Sequence, residues 1–139
     1  MKKLIVFLLL FFAPACFAQV WHPANQATVE WDAVTKRSDG SAIPAGDTVK
    51  YQVWSRLGTA GTPAKVGAEI TATQLVISYS VEGRYFAGVQ AIRYPVGETA
   101  GVASAVSWSS DPLVCAGGTA FGIVYYLPLA APVGLRPVE

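Results

Sequence analysis

Ala27-Thr28-Val29-Glu30-Trp31-Asp32 sets the fold class, because apolar Ala27, Val29 and Trp31 alternate one by one with polar Thr28, Glu30 and Asp32. Successive side chains of an extended strand point to opposite faces, so the pattern predicts a strand with one buried face and one wet face. The same period returns along the chain. Val49, Tyr51 and Val53 alternate with Lys50, Gln52 and Trp54. Leu75, Ile77 and Tyr79 mark a third strand, Tyr85, Ala87, Val89 and Ala91 a fourth, and Val102 to Trp108 a fifth. Between them fall turn signals: Ser38-Asp39-Gly40-Ser41 inside the long, exposed connection Thr35 to Asp47, the Gly/Thr-rich Leu57 to Pro63, and Glu82-Gly83. No segment after Ala18 sustains a helical period. Short antiparallel strands at this spacing, without helices, predict an all-β domain built as a β-sandwich.

Upstream of this region the chain reads differently. Lys2 and Lys3 precede an uninterrupted apolar run from Leu4 to Phe12, and small residues follow. That is the pattern of a secretory signal peptide over residues 1–18, with cleavage after Ala18 preferred to cleavage after Ala15. The apolar run is too short to serve as a permanent membrane anchor. Lipid anchoring at Cys16 is the lesser alternative, since Ala13-Pro14-Ala15 lacks the leucine that bacterial lipoproteins usually place three residues before the modified cysteine. The expected location is secreted, periplasmic or at the cell surface.

Of 139 residues, loss of these 18 leaves 121, enough for one domain with its own core. Ten basic side chains against nine acidic become eight against nine, so the mature net charge is about −1. Charges scattered singly near neutrality give no electrostatic case for nucleic acid or an anionic membrane as partner. Cleavage after Ala18 leaves Cys115 without a second cysteine, and the domain must stand on its hydrophobic core. Were Cys16 retained, it would be available to pair with Cys115.

Several of these segments together resemble a fibronectin type III domain. Ala27-Thr28-Val29-Glu30-Trp31-Asp32-Ala33 is similar to that family's strand B, with Trp31 in the core. Tyr51-Gln52-Val53-Trp54 looks like strand C, and Tyr85-Phe86-Ala87-Gly88-Val89-Gln90-Ala91-Ile92 resembles strand F. Gly97-Glu98-Thr99 and Ala103-Ser104-Ala105-Val106-Ser107-Trp108 look like the loop into strand G. The lengthened connection from Trp31 through Asp39-Gly40 to Tyr51 is similar to a bacterial and bacteriophage variety of the domain. The resemblance covers Gln19 to Pro112, implies an immunoglobulin-like β-sandwich of about seven antiparallel strands with Trp31, Tyr51 and Tyr85 as core markers, and gives Tyr85 the role of a tyrosine corner. Tyr79 and Val81 replace the leucine and proline usual before that tyrosine, which bears on the corner's detail.

Catalytic chemistry has few residues to use. His22 is the only histidine and lies near the expected mature N-terminus, so a Ser-His-Asp triad or a His-rich zinc site lacks its set. Asp32, Asp39 and Asp47 bracket the long connection and are the only carboxylates worth weighing for a small hydrolase or a calcium site. Turn geometry accounts for Asp39, and the wet face of a strand for Asp32. Gly117-Gly118 opens no helix after a strand and reads as a loop, not a nucleotide site. No residue close to Cys115 in sequence would lower its pKa. Catalytic residues, metals and cofactors are therefore not expected.

Two features point to binding. Trp54, Phe86 and Trp108 fall off the core register, where aromatic side chains favour protein or carbohydrate contacts, although packing under loops or tail would also account for them. From Pro112 to Leu135 there is no charge, and Phe121, Ile123, Val124, Tyr125, Tyr126 and Leu127 make a dense apolar run. Prolines and glycines argue against a membrane helix in this tail over residues 113–139. Two places remain for it: an added strand on its own domain, or an interaction segment on a partner's sheet edge. Leu129-Ala130-Ala131-Pro132-Val133-Gly134-Leu135-Arg136-Pro137 also looks like the opening strand of a further fibronectin-type module. The expected function is an exported, non-catalytic module that binds a protein or surface glycan, with Trp54, Phe86, Trp108, Phe121, Tyr125 and Tyr126 as its candidate surface. The alternative is an assembly protein that forms a homo-oligomer through the tail.

Overall fold

The computed structural model describes residues 19–131 and residue 133; the signal-peptide reading and Cys16 lie outside them. Among the described residues the chain is mostly β, with no α-helix. Its strands are β1 (Val20–Pro23), β2 (Gln26–Glu30), β3 (Thr48–Leu57), β4 (Ala64–Ile70), β5 (Gln74–Ser78), β6 (Gly83–Tyr94), β7 (Val102–Ala103), β8 (Ser107–Trp108) and β9 (Phe121–Tyr125). A large sheet has the order β1-β9-β6-β3-β4, with β7 and β8 also paired to β6; β2 and β5 form a separate two-stranded ribbon.

Side chains of the ribbon and of the large sheet share one core cluster. Val29 and Ile77 from the ribbon meet Val53, Ala87 and Ile123 from the sheet, with Tyr79 at one end. All of these except Ile123 are residues that the two-residue period places inward, and Thr28, Glu30, Gln74 and Ser78 on the opposite phase are exposed. Trp31 packs edge-on to Tyr51 at 5.5 Å, and the Tyr51 hydroxyl accepts a 2.9 Å hydrogen bond from Val34 N, so the long connection leaves β2 tied to the core. Within that connection Gly40 takes a φ of +82°, and the Asp39 carboxylate accepts from both the backbone and the hydroxyl of Ser41. This is the tight turn the Asp-Gly pair predicts.

The pairing departs from an all-antiparallel arrangement. β1 pairs parallel with β9, Val20 with Phe121 through Pro23 with Val124, so the large sheet is mixed. The expected fifth strand is broken into β7 and β8, and β9 continues the same edge of β6 after an excursion. Two serines splice the pieces. Ala91 N donates to Ser104 Oγ while Ser104 N donates to Ala91 O; Ala87 N donates to Ser109 Oγ while Ser109 N donates to Ala87 O. In each case the hydroxyl takes the place of the serine's own carbonyl. The Ser109 carbonyl is thereby free to accept from Phe121 N at 2.8 Å, which closes the excursion at the start of β9. Part of the apolar tail thus lies within the sheet.

Gln52 is a second departure. Its phase predicts an exposed polar side chain, yet it is 3% exposed. Between Tyr51 and Val53 the register of β3 against β4 shifts, and Gly67 takes a φ of +65° there. Gln52 Nε2 reaches the carbonyls of Val53, Val66 and Gly67 at 2.9, 3.4 and 3.3 Å, so the irregularity supplies the acceptors that make burial of the amide tolerable.

Candidate functional site

The face of the large sheet turned away from the ribbon carries the even-numbered residues of β3 and β6. Register brings Lys65, Trp54, Gly88 and Trp108 into one row across β4, β3, β6 and β8. The next row runs Arg56, Phe86, Gly122 and Trp21 across β3, β6, β9 and β1. Two glycines make room for the indoles: a Cβ on Gly122 would stand 2.5 Å from Trp21 Cζ3, and one on Gly88 2.8 Å from Trp108 Cε3. The rings therefore lie against bare backbone, and Trp21 also packs on Phe86 with centroids 5.3 Å apart.

Each indole has a cation over its ring. The Arg56 guanidinium lies 4.1 Å from the Trp108 ring centre, Arg84 5.1 Å from Trp21, and Lys65 5.5 Å from Trp54. Lys50 stands 5.1 Å over Tyr94 on the same face. Such contacts contribute about 0.5–1 kcal/mol each at exposed sites. Arg56 is further held by a 3.0 Å bond from Nη2 to Ser110 Oγ. Glu69 accepts a 2.7 Å bond from the Tyr94 hydroxyl, which pushes that phenol's pKa up. Charges that look scattered along the sequence are thus gathered on one side of a sheet.

Of the candidate surface residues, Trp54 and Trp108 lie half-buried in this layer. Phe86 is also there but only 2% exposed, covered by Trp21, so it supports the face without presenting a surface. Phe121 and Tyr125 are on the other side, packed on the core, while Tyr126 beyond the end of β9 is 60% exposed. Sequence reasoning missed Trp21, Arg56, Arg84 and Lys65. A signal existed, since Arg56 stands two residues from Trp54 and Arg84 two from Phe86, on the same phase. The core markers Trp31, Tyr51 and Tyr85 all contact the core or line it, and the Tyr85 hydroxyl donates to Val81 O at 2.7 Å.

The ribbon covers the large sheet incompletely, leaving a groove of about 560 Å³ beside β2. Its floor includes Ala87, Val89 and Ala91, its walls Val29 and Trp31 on one side and Val114 and Cys115 on the other. Trp31 Nε1 is buried with no hydrogen-bond partner among the described residues. The Cys115 thiol lies 3.5 Å from Ser109 O; burial, and then the charge of Asp111, push its pKa up.

The three weighed carboxylates have separate occupations. Asp39 serves its turn, with its pKa lowered chiefly by the bond from the Ser41 hydroxyl. Asp47 accepts from Val96 N at 3.2 Å and lies 3.6 Å from Arg93 Nη1. Asp32 is exposed on the groove wall. His22 is exposed on the edge strand β1, near Phe121. Among the described residues no three His, Cys, Asp or Glu side chains come together as a metal-holding group, and no helix is long and apolar enough to cross a membrane. No family model matches the chain, nor does any curated protein or solved structure with which it was compared.

Proposed function

We propose that the chain is an exported, non-catalytic interaction module with the architecture of a fibronectin type III sandwich, and that its aromatic and cationic sheet face binds a partner. The pairing of β2 with β5 over a sheet containing β4, β3 and β6, and the Trp31–Tyr51 contact, support the architecture. So does the bond from the Tyr85 hydroxyl to a carbonyl four residues upstream, the geometry of a tyrosine corner.

The observation that carries the binding role is the three indoles seated over two glycines or beside a lysine, each with a cation across its ring. Between a protein and a surface glycan, this arrangement favours the protein. A sugar ring stacks on an open indole face, and here those faces are occupied by Arg56, Arg84 and Lys65. A protein surface bearing carboxylates meets the guanidinium and ammonium groups directly, while Trp and Arg are the side chains that dominate binding energy at protein interfaces. Lys65 and Arg84 are exposed, so Lys65→Glu with Arg84→Glu leaves the core intact. In capture from the native envelope fraction, proteins held by the wild type are lost from this variant and weakened by salt. Equal retention by both proteins would overturn the assignment of this face. Intact mass of the exported protein, beginning at Gln19, tests the location.

A further inference from the structure

We propose that the groove beside β2 receives the C-terminal segment Leu129–Leu135 of a second copy of this chain as an added parallel strand. The inference stands independently of the partner of the outer face. It starts from an open edge. Tyr79 N donates to Asn25 O, and Trp31 N to Thr73 O, so the odd-numbered residues of β2 direct their peptide groups to β5. The N–H and C=O of Gln26, Thr28 and Glu30 then face the other way, where no strand pairs with β2 among the described residues. That edge borders the apolar floor of Ala87, Val89 and Ala91. An open edge above an uncovered core is a template for strand addition.

The occupant is written in the tail. Leu129, Ala131, Val133 and Leu135 alternate with Pro128, Ala130, Pro132 and Gly134, a period-two segment with one apolar phase and one phase of small or cyclic residues. The apolar phase suits the groove floor, and the other suits solvent.

Strand direction follows from the prolines. In an antiparallel pairing with β2, the outward-phase residues would have to donate to Gln26, Thr28 and Glu30, and two of them are prolines without an N–H. In a parallel pairing the inward-phase residues supply the N–H and C=O groups, and all four of these have them. Pro128 and Pro132 then turn their nitrogens to the free side of an edge strand, where proline is tolerated. Running parallel to β2, the segment delivers Arg136 to the end of the groove walled by Glu30 and Asp32.

A second copy fits better than the chain's own tail. β9 starts at Phe121, on the groove, and runs away from it to Tyr125 opposite Gly83, where Glu82 accepts from Leu127 N. The tail therefore leaves at the far end, with Leu127 59% and Leu129 96% exposed. Donor and acceptor are different surfaces, so the contact is head-to-tail and builds chains of subunits.

The test uses the exported full chain in two variants. Thr28→Pro closes the acceptor edge, because the Thr28 N–H faces away from β5 and its loss spares the ribbon. Leu129→Asp with Val133→Asp spoils the donor, at positions 96% and 93% exposed. Light scattering of the wild type is expected to give a weight-average mass that rises with concentration past about twice that of the monomer. Each variant alone stays monomeric, and an equimolar mixture of the two forms a heterodimer, since each supplies what the other lacks. A monomeric wild type at all concentrations overturns the proposal, and so does self-association that survives in both variants. A monomeric wild type whose tryptophan emission responds to Leu129→Asp would instead place the tail in its own groove, which also overturns it.

Discussion

Replacing Ile123 with alanine asks whether β9 belongs to the core or merely rests on the domain. Ile123 is 2% exposed and belongs to the core cluster formed with Val29, Val53, Ile77, Tyr79 and Ala87. Alanine removes three carbon groups, and at about 0.8 kcal/mol for each buried group the transfer loss alone is about 2.4 kcal/mol. The cavity left behind adds to this, since neighbours on a hydrogen-bonded sheet relax only in part, and comparable substitutions cost about 2–5 kcal/mol. We expect a loss of about 3–4 kcal/mol, a large share of the about 5–15 kcal/mol that holds a domain together. Urea unfolding followed by tryptophan fluorescence reads this directly: with a slope of about 1–3 kcal/mol per molar, the midpoint falls by about 1–4 M. Leu113→Ala, at a position 87% exposed, is the control and leaves the midpoint unchanged. A loss below about 1 kcal/mol for Ile123→Ala would take β9 out of the core, because a fully buried isoleucine is not removed so cheaply.

Gly88→Ala places a methyl group against Val106 and Trp108, so we expect about 1–3 kcal/mol of destabilisation and a shifted Trp108 emission; an unchanged protein would show that the indole does not lie on that backbone. Gln52→Leu keeps the bulk of the side chain but deprives the Val66 and Gly67 carbonyls of a donor, at a cost of about 1–3 kcal/mol in urea unfolding, whereas a neutral result would mean that the amide is not buried. The Cys115 thiol, with its pKa raised by burial, is expected to alkylate more slowly in the folded protein than in the urea-unfolded chain. The folded state then keeps its proton after the unfolded chain has lost it, so this group's contribution to stability is intact below the ordinary thiol pKa and lost as pH rises through the folded value. Urea midpoints that fall on the alkaline side in the wild type, with a shallower fall in Cys115→Ala, check the sign.

Val29, Val53, Ile77, Ala87 and Tyr85 are readable in the sequence as inward-facing because each lies on a strand whose other phase differs from it, and the alternation survives among near neighbours. The Asp39-Gly40 turn is readable because its hydrogen bonds lie within four residues. Phe121 to Tyr125 is not, because both of its faces are covered: Ile123 by the core, and Gly122 by Trp21. A continuous apolar run carries no period to decode. The outer face is half legible, with Trp54 and Trp108 named and their cations missed.

Local sequence is enough to specify that β2, β3, β5 and β6 are strands, which of their residues face inward, and where the chain turns; β1 and β4 carry no such signal. All three follow from the pleat and from glycine's backbone freedom, which are properties of neighbouring residues. Long-range packing settles the rest: the parallel pairing of β1 with β9, the splicing of one edge by Ser104 and Ser109, the burial of Gln52, and the gathering of Lys50, Arg56, Lys65 and Arg84 over aromatic rings. Each of these depends on which strand lies beside which, and that choice is made by core packing and by the satisfaction of backbone hydrogen bonds between residues far apart in the chain.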